Sequence, residues 1–470
     1  MKLDISVLES LVERARRRSA AFADTRAVWS EGTGIQCQDG RADKVGRGSS
    51  FSACVRVLLD GAWGFASTDA PDRRRLEGCL DSAIEQARAS RGRVRETGVV
   101  AEIPPARGES LASVEIDPRG VSLEEKLRRA AAYEKAARDR HGQTLVNTIV
   151  SYNDSWRREV VVNSRGTRVV TEQIRSHISA MMVARSAETR QSGREHRAAL
   201  AGFELLDRTP PEELSIRAAD RAVALLSARR APAGVFPVVF HPTIAGLLTH
   251  EAVGHNAEAD LVFSGMSILE GRLGSRVASE HVTIVDDATI PGANGSYAYD
   301  SEGTPSARRV LVEKGVLKKF LHSLETAARL GATPEGSARA DGAHSLPIVR
   351  MSNTFIAPGE SSLEELLAPI GTGVFLSGGQ WGYVFCERGQ FVCNAAEGWM
   401  IRNGKLAEHL RDVSVSGMTL KALEDIDGVS REFELSMPGT CGKSGQGAPI
   451  AAGGPYVRVK ELVVGGQEKS

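Results

Sequence analysis

The chain has 470 residues, of which 41% are hydrophobic and 25% are charged. This length exceeds that of one ordinary hydrophobic core, so we expect two or three domains. The 59 Lys and Arg residues balance the 59 Asp and Glu residues, which excludes a global field that attracts nucleic acid or anionic lipid. We therefore expect no direct binding of nucleic acid.

The N-terminus and the cysteines indicate a cytoplasmic protein. The segment from Met1 to Ile5 leads directly into an amphipathic pattern and lacks the apolar core of a signal peptide. No apolar run reaches the ~18 residues needed to cross a bilayer, so we expect no membrane association. Six cysteines are scattered without CxxC pairs, which favours reduced thiols in a cytosolic protein. Any of these thiols is therefore free to act as a metal ligand.

The first part of the chain mixes helices and strands. The apolar periodicity predicts, in chain order, a helix over 5–22, strands near 27–29 and 52–59, and a helix over about 71–91. The low periodicity of 92–120 indicates a loop or linker.

A second group of elements follows the linker. A helix is predicted over 122–139, where Ser122 and Glu125 have the spacing of a capping box. Strands are then predicted over 144–152, 158–163, 168–170 and 177–183, and a helix over 211–227.

The segment from Ala231 to Gly234 is typical of a hinge and marks the main domain boundary. Beyond it, short apolar strands alternate with glycine turns and long helices are few. The sequence therefore predicts an α+β fold, with an N-terminal α/β domain over 1–232, subdivided near 92–120, and a β-rich, barrel-like C-terminal domain over 233–470.

The C-terminal half begins with a buried strand over 235–240 and a helix that starts near Pro242. This helix carries the motif His250-Glu251-Ala252-Val253-Gly254-His255, which supplies two imidazoles and a carboxylate, as a hydrolytic zinc site requires. Histidines five residues apart differ by roughly 140° around a regular helix. Both can reach one metal only if the helix widens into a π-turn or ends near Gly254.

A catalytic zinc needs a third protein ligand. None of the other histidines has the spacing of a known zinc motif, and Cys441 is the most site-like candidate, because glycines flank it and Lys443 follows two residues later. A structural cysteine in a tight turn would look the same, and His250 or His255 could equally be core or cap residues. Spacing alone therefore leaves metal binding open.

The segment from His250 to Asp260 resembles the HExxGHxxExD core of the TldD/PmbA family of cytosolic metalloproteases and partner subunits. The similarity covers nearly all of 235–470 and, more loosely, the N-terminal half. It continues in order through 285–287, 300–305, 350–354, 378–380, 440–446 and 463–466.

The resemblance implies that His250, His255 and Cys441 bind the metal and that Glu251 is the catalytic base. It also implies an N-terminal α/β domain, a β-rich C-terminal domain and a dimer whose active site opens into an enclosed cavity. This chain keeps the motif, so it resembles the catalytic type rather than the motif-less TldE/PmbA-type subunit. We expect a homodimer, or a heterodimer with such a paralogue.

The resulting hypothesis is a zinc-dependent metalloprotease that hydrolyses peptides or unfolded polypeptide segments. A metal-activated water would attack the peptide bond, with Glu251 as general base. One Zn²⁺ per chain is expected, with iron as the alternative metal. Two rival hypotheses are a non-catalytic regulatory or binding partner, gyrase-modulator-like or chaperone-like, and a metallohydrolase of small amides.

Four further polar residues belong to the similar segments. Glu258 and Asp260 lie one turn past His255, and we expect them to orient His255 through its free ring nitrogen, with an acidic surface turn as the alternative. Glu302 and Arg350 have no role that the sequence supplies, and structural roles in turns are expected for them.

Overall fold

The computed structural model describes residues 3–466. Within that range the α-helices are α1 (Ile5–Arg17), α2 (Arg73–Ser90), α3 (Leu123–His141), α4 (Ser215–Ala224), α5 (Pro242–Thr249), α6 (Ala259–Phe263), α7 (Leu324–Leu330), α8 (Leu363–Leu367) and α9 (Thr419–Glu424). The strands are β1 (Phe22–Gln38), β2 (Arg41–Leu59), β3 (Ala62–Thr68), β4 (Arg107–Ser110), β5 (Leu145–Asn163), β6 (Arg168–Arg185), β7 (Arg190–Ala199), β8 (Arg229–Arg230), β9 (Gly234–Phe240), β10 (Ile284–Asp287), β11 (Arg308–Glu313), β12 (Val316–Leu317), β13 (Ala338–Arg339), β14 (Ile348–Val349), β15 (Asn353–Ile356), β16 (Thr372–Phe385), β17 (Gln390–Arg402), β18 (Lys405–Arg411), β19 (Val413–Met418), β20 (Ile426–Lys443) and β21 (Gln446–Gly466).

The N-terminal half forms one sheet of seven strands. The strands run in the order β3, β2, β1, β5, β6 and β4, and β7 also pairs with β6. Asp39 and Gly40 connect β1 to β2 with positive φ angles of 51° and 79°, as a two-residue type I′ hairpin turn requires. Helices α1 and α2 bury their apolar faces on this sheet, with Leu8, Leu11 and Leu76 fully buried.

The C-terminal half contains a twelve-stranded sheet, part of which closes on itself. Strand β21 pairs with β9, β9 with β16, β16 with β17, β17 with β19, and β19 with β21. This ring of five strands is a closed barrel, so the predicted α+β class with a barrel-like second half is confirmed. Closure removes the exposed edges that an open sheet presents.

The outer limits of the two predicted domains, residues 1, 2 and 467–470, lie outside the described residues. The boundary at 232/233 stays a prediction. Among residues 3–466, no helix combines the length and the apolar character needed to cross a bilayer.

Several predicted elements have different limits in the structure. The first helix ends at Arg17, not at 22, because Ser19 takes a positive φ of 69° and the chain then enters β1. The strands predicted over 144–152 and 158–163 are one strand, β5, and those over 168–170 and 177–183 are one strand, β6. The helix predicted over 211–227 begins later, as α4, after a 3₁₀ turn at Pro211–Glu213.

Half of the capping box predicted at the start of α3 is present. The Ser122 hydroxyl accepts a hydrogen bond from the Glu125 backbone N–H at 3.1 Å. The Glu125 carboxylate instead accepts hydrogen bonds from Arg128, one turn along the helix, at 2.6 and 2.7 Å. An exposed ion pair thus replaces the reciprocal bond.

The helix that carries the motif changes its winding where the sequence predicts a distortion. Pro242 occupies the first turn of α5, a position that tolerates the missing N–H. The chain then widens into a π-turn over His250–Gly254 and tightens into a 3₁₀ turn over His255–Ala257. Of the two distortions expected near Gly254, the π-turn is the one found.

Close packing fixes glycine at the end of this π-turn. A Cβ atom on Gly254 would lie 1.9 Å from Met351 Sδ. We therefore expect Gly254→Ala to lower the free energy of unfolding by roughly 1–3 kcal/mol, the usual cost of an overfilled core. Urea denaturation monitored by circular dichroism measures this change.

Gly78→Ala is the matched control for that variant. Gly78 lies inside α2, and a Cβ there meets no atom within 4 Å. Alanine is the better helix former, so this variant should be more stable by up to about 1 kcal/mol. Equal stability of the two variants would contradict the packing at Gly254.

Candidate metal centre

Three potential ligands from two distant segments meet at the π-turn. His250 Nε2 lies 3.2 Å and His255 Nε2 lies 3.3 Å from Cys441 Sγ. His250 and Cys441 are buried and His255 is half-buried. The π-turn brings the two imidazoles to one side of the helix, with ring centroids 5.0 Å apart.

A β-hairpin brings Cys441 to the histidines. Ser444 and Gly445 join β20 to β21 with positive φ angles of 51° and 76°, which is again the type I′ geometry. This turn sets Lys443 opposite Gln446 and Cys441 opposite Ala448. Cys441 and Lys443 are two residues apart on the strand, so both side chains point to the face that meets the π-turn.

The cluster strongly favours a thiolate. Burial raises the pKa of the Cys441 thiol, but the charge of His250 and hydrogen bonds from both histidines outweigh burial and lower the pKa to about 4. Burial disfavours protonation of His255, but the charge of Glu258 and hydrogen bonds to Cys441 and Glu258 raise the pKa of His255 well above its usual value. The negative charges of the Cys441 thiolate and of Glu258 therefore favour a positive charge at the point where the three potential ligands converge.

These residues fit a divalent metal. Zinc bonds of about 2.1 Å to nitrogen and 2.3 Å to sulfur place neighbouring tetrahedral ligand atoms roughly 3.6 Å apart, close to the two distances from Cys441. All three ligand atoms lie within 4.8 Å of one another. Nδ1 of His250 is buried without a hydrogen-bond partner among the described residues, whereas Nδ1 of His255 is held by Glu258. Two imidazoles and one thiolate form a complete three-ligand set with room for a fourth.

Glu251 lies beside the cluster and faces open space. Its side chain is half-buried and lines a cavity of about 1320 Å³ together with His250, His255 and Cys441. Strand β16 passes it at Gly382, where a Cβ would lie 2.8 Å from Glu251 Cγ. Glu251 therefore shares the wall of one cavity with the three potential ligands.

Glu258 contacts the ring nitrogen of His255 that faces away from Cys441. Its Oε2 lies 3.1 Å from His255 Nδ1 and 3.0 Å from Lys443 Nζ. The side chain is fully buried, which contradicts the alternative of an acidic surface turn. A carboxylate on the second ring nitrogen fixes the orientation and tautomer of a ligating imidazole.

Asp260 lies elsewhere than expected. Its carboxylate contacts Lys443 Nζ at 2.7 and 2.8 Å, and no contact with His255 occurs among the described residues. The reason is local: Asp260 is in the first turn of α6, after the chain has turned away from His255. Lys443 thus contacts the carboxylates of both Asp260 and Glu258. The two-residue spacing of Cys441 and Lys443 on one strand is a sequence signal for this contact, because it places both side chains on the same face.

Arg350 connects the hairpin to the helix side of the cluster. Its guanidinium donates to the backbone carbonyls of Cys441 and, at 3.1 Å, Gln446, while its Nε lies 3.9 Å from Glu258 Oε1. The residue is almost fully buried. The structural role expected for Arg350 is therefore wider than a turn, because this residue contacts both the hairpin and Glu258.

Glu302 has the structural role that was expected. It accepts a hydrogen bond from Arg56 Nη2 at 2.9 Å and one from the backbone N–H of Leu324 at 2.7 Å. Both contacts are buried, and the one with Arg56 of β2 ties the N-terminal sheet to the C-terminal half.

The N-terminal half supplies the opposite wall of the cavity. Residues of β6 and β7, including Arg175, His177 and His196, line it. His196 Nε2 lies 2.8 Å from the carbonyl oxygen of Pro438, three residues before Cys441. Burial, followed by the nearby His196 and Arg194, lowers the pKa of His177 to about 4. The sequence contains no motif that predicts a role for these residues. They are isolated positions on β6 and β7, and the cavity that they line forms only when the two halves of the chain pack together.

Comparisons with known proteins agree along the whole chain. The PmbA/TldA metallopeptidase family models match as domain 1 over residues 23–90, as the central domain over 116–226 and as the C-terminal domain over 233–466. A metalloprotease of Methanothermobacter thermautotrophicus is 40% identical over 99% of this chain and 100% of its own length.

Two more distant proteins are also similar to this chain, one in sequence and one in fold. A protein of Saccharolobus solfataricus named as a zinc metalloprotease TldD homologue is 27% identical, covering 97% of this chain and 99% of its own. The crystal structure of TldE from Thermococcus kodakarensis shares the fold, with a TM-score of 0.79 and 18% identity over 98% of this chain and 100% of its own. The chain therefore belongs to the PmbA/TldD family of metallopeptidases.

Proposed function

We propose that this chain is a zinc-dependent peptidase that hydrolyses peptides or unfolded polypeptide segments. The observation that carries the proposal is the convergence of His250, His255 and Cys441 beside Glu251, in the wall of a cavity of about 1320 Å³. Its relatives are named metalloproteases. Purely structural roles, as core histidines and a buried cysteine, do not explain why the two histidines, the cysteine and the glutamate all line one cavity.

Each residue of the cluster has a distinct task. His250, His255 and Cys441 would hold the metal, which supplies Lewis acidity for a peptide carbonyl and for water. Glu251 takes a proton from the attacking water and delivers it to the leaving nitrogen. Glu258 holds His255 by its Nδ1, and Lys443 and Arg350 offset the buried charge of Glu258.

Zinc is the metal that this donor set favours. A soft thiolate with two imidazoles selects zinc over magnesium or calcium, which prefer oxygen ligands. Iron is the alternative, and metal analysis of the purified protein distinguishes the two. All six cysteines are free thiols, which supports a cytoplasmic location because reduced thiols persist there.

The cavity favours an extended peptide over a small amide. Its volume exceeds the range of about 300–1,000 Å³ that is typical of small-molecule pockets. Both halves of the chain contribute walls, so Glu251 lies in a recess that suits an extended segment better than the surface of a folded protein. Turnover of an unfolded protein that a chelator blocks would favour the peptidase over both rivals, the small-amide hydrolase and the non-catalytic regulatory partner.

We further propose that a second polypeptide covers one outer face of the barrel. On β16, Trp381, Tyr383 and Phe385 are 55%, 55% and 41% exposed, and on β19 Met418 is 54% exposed. The register sets Phe385 opposite Gln390 and Gln390 opposite Met418, so these side chains share one face. Trp381 and Tyr383 also line the cavity. A second copy or a motif-less TldE-type paralogue seated here would cover the cavity mouth.

The proton-transfer role of Glu251 separates activity from metal binding. We expect Glu251→Gln to lower the hydrolysis of a denatured, labelled protein by about 10²–10⁴-fold, the usual contribution of a general base. Its metal content should equal that of the unmodified protein. Cys441→Ala should lose both metal and activity. Full zinc in Cys441→Ala would remove this residue from the ligand set, and normal turnover by Glu251→Gln would refute the mechanism.

The contact between Glu258 and His255 predicts a change in metal affinity. We expect Glu258→Gln to weaken zinc binding by about 10–100-fold, as loss of such a supporting carboxylate typically does. Competition with a chromogenic chelator measures the affinity. Asp260→Asn is the matched control, because Asp260 contacts Lys443 and not His255. Equal losses in the two variants would show that total charge, and not the bond to His255, matters.

The exposed apolar face predicts an assembly that charge disrupts. We expect the protein, alone or mixed with a motif-less paralogue, to sediment as a dimer. The double variant Phe385→Glu, Met418→Glu should sediment as a monomer, because neither charge can be buried in an interface without a partner. Val45→Glu is the control, because Val45 is 46% exposed on β2, which belongs to the separate N-terminal sheet. A double variant that assembles normally would place the interface elsewhere.

A further inference from the structure

Arg175 brings a positive charge into the cavity wall without a carboxylate to neutralise it. Its Nε donates to the carbonyl of Asn294 at 3.1 Å, its Nη1 to Gln173 Oε1 at 2.9 Å and its Nη2 to the carbonyl of Ser296 at 3.3 Å. It forms no ion pair with any carboxylate of residues 3–466. A guanidinium has five N–H groups, so one on each terminal nitrogen is left without an acceptor.

The surroundings make this charge unusual. Burial, with added repulsion from Arg339 and Arg157, lowers the pKa of Arg175 to about 9. An arginine keeps its proton at neutral pH all the same. The fold therefore holds a half-buried cation that forms no ion pair within residues 3–466, and a ligand carboxylate would supply the missing charge.

Arg175 also lines a recess that adjoins the main cavity. The recess has a volume of about 290 Å³ and shares four wall residues with the cavity: Ser155, Arg175, Thr440 and Pro449. The buried guanidinium of Arg339 also lines the recess. It donates to the carbonyl of Met351 at 2.7 Å and lies over the Tyr297 ring. The volume lies at the small end of ligand pockets, so it suits one residue rather than a continuing chain.

The carboxylates of the recess have partners of their own. Glu159 lies 3.0 Å from Arg157 and 3.7 Å from Arg26. Asp300 accepts backbone hydrogen bonds from Glu302, Thr304 and Ala338. Asp341, the third carboxylate of the recess, lies 3.7 Å from His344 Nε2. None of the three carboxylates forms an ion pair with Arg175.

The recess lies next to the metal ligands along the chain. Thr440, in the shared wall, directly precedes Cys441, and neighbouring residues of a strand are about 3.4 Å apart. Asn294, which holds Arg175, donates to the carbonyl of Gly439 at 3.1 Å. Arg175 and Glu251 line the same cavity, so a peptide bound in that cavity meets both residues.

We propose that Arg175 binds a carboxylate of the peptide substrate and so selects which peptides this chain hydrolyses. The carboxylate is either the free C-terminus or an Asp or Glu side chain, since a planar guanidinium with two open N–H groups matches both. The proposal rests on the peptidase function proposed above. Arg175 is a specificity residue in it, and it takes no part in proton transfer.

Matched peptides test the proposal on the zinc-loaded, unmodified protein. One pair ends in a free carboxylate or an amide, and a second, amidated pair carries Glu or Gln next to the cleaved bond. For one of these pairs we expect KM of the carboxylate member to be roughly tenfold lower, with kcat little changed, because a charge-assisted bidentate contact has about that effect. Equal KM within both pairs would overturn the proposal without affecting the peptidase function.

Variants distinguish a binding role from a structural one. Arg175→Gln should remove the preference and leave the amidated, uncharged peptide unchanged, and Arg175→Lys should restore part of it. Arg217→Gln is the control, because Arg217 is an exposed arginine that lines the same cavity. A uniform loss of kcat for all peptides in Arg175→Gln, with a lower melting temperature, would indicate a structural role and reject the proposal.

A binding measurement separates this proposal from the peptidase function. Calorimetry with the zinc-loaded Glu251→Gln variant measures the affinity of the same peptides without turnover. Tighter binding of a carboxylate peptide by this variant, together with no hydrolysis by the unmodified protein, would sustain the Arg175 site and reject the peptidase function. Equal affinity for the carboxylate and uncharged peptides, together with hydrolysis of all of them by the unmodified protein, would reject the Arg175 site and sustain the peptidase function.

Discussion

The register of the hairpin between β20 and β21 is the constraint on which the metal centre depends. The side-chain period of a strand is two, so a slip of one residue would turn Cys441 and Lys443 away from the π-turn. Two features fix the register: the turn at Ser444 and Gly445, and the Arg350 guanidinium, which binds a carbonyl from each strand. Cys441, 191 residues from His250 in sequence, is thereby held within hydrogen-bonding distance of both histidines.

The buried charges around this hairpin form one connected system. Glu258 is fully buried, and a carboxylate there is tolerated only because His255, Lys443 and Arg350 surround it. Lys443 is delivered by the same strand as Cys441, and His255 by the same helix as His250. The ligands and the groups that orient them therefore arrive together, so any change that displaces one displaces the other.

The sequence predicted features that depend on residues close together in the chain, but it did not predict the pairing of distant strands. The five-residue histidine spacing predicts the π-turn because it is a property of one helix, and the Ser122 cap is likewise local. The continuous strand β5 and the missed strand β7 depend on their neighbours. Polar residues inside them look like loops until the sheet that hydrogen-bonds them is known. Arg350 and Arg175 were unassigned for the same reason, since their partners lie far away in sequence.

Chemistry and recognition are supplied by different parts of the chain, and the contacts between those parts set how they cooperate. Arg221 of α4 lies 2.7 Å from Glu195 of β7 and 2.8 Å from Glu397 of β17. This half-buried guanidinium therefore joins the N-terminal and C-terminal halves beside the cavity. Arg175 is fixed from the C-terminal side by the carbonyl of Asn294. The distance from Arg175 to Glu251 is therefore set by the packed interface rather than by a hinge. A fixed distance of this kind favours one position of the cleaved bond relative to the bound carboxylate.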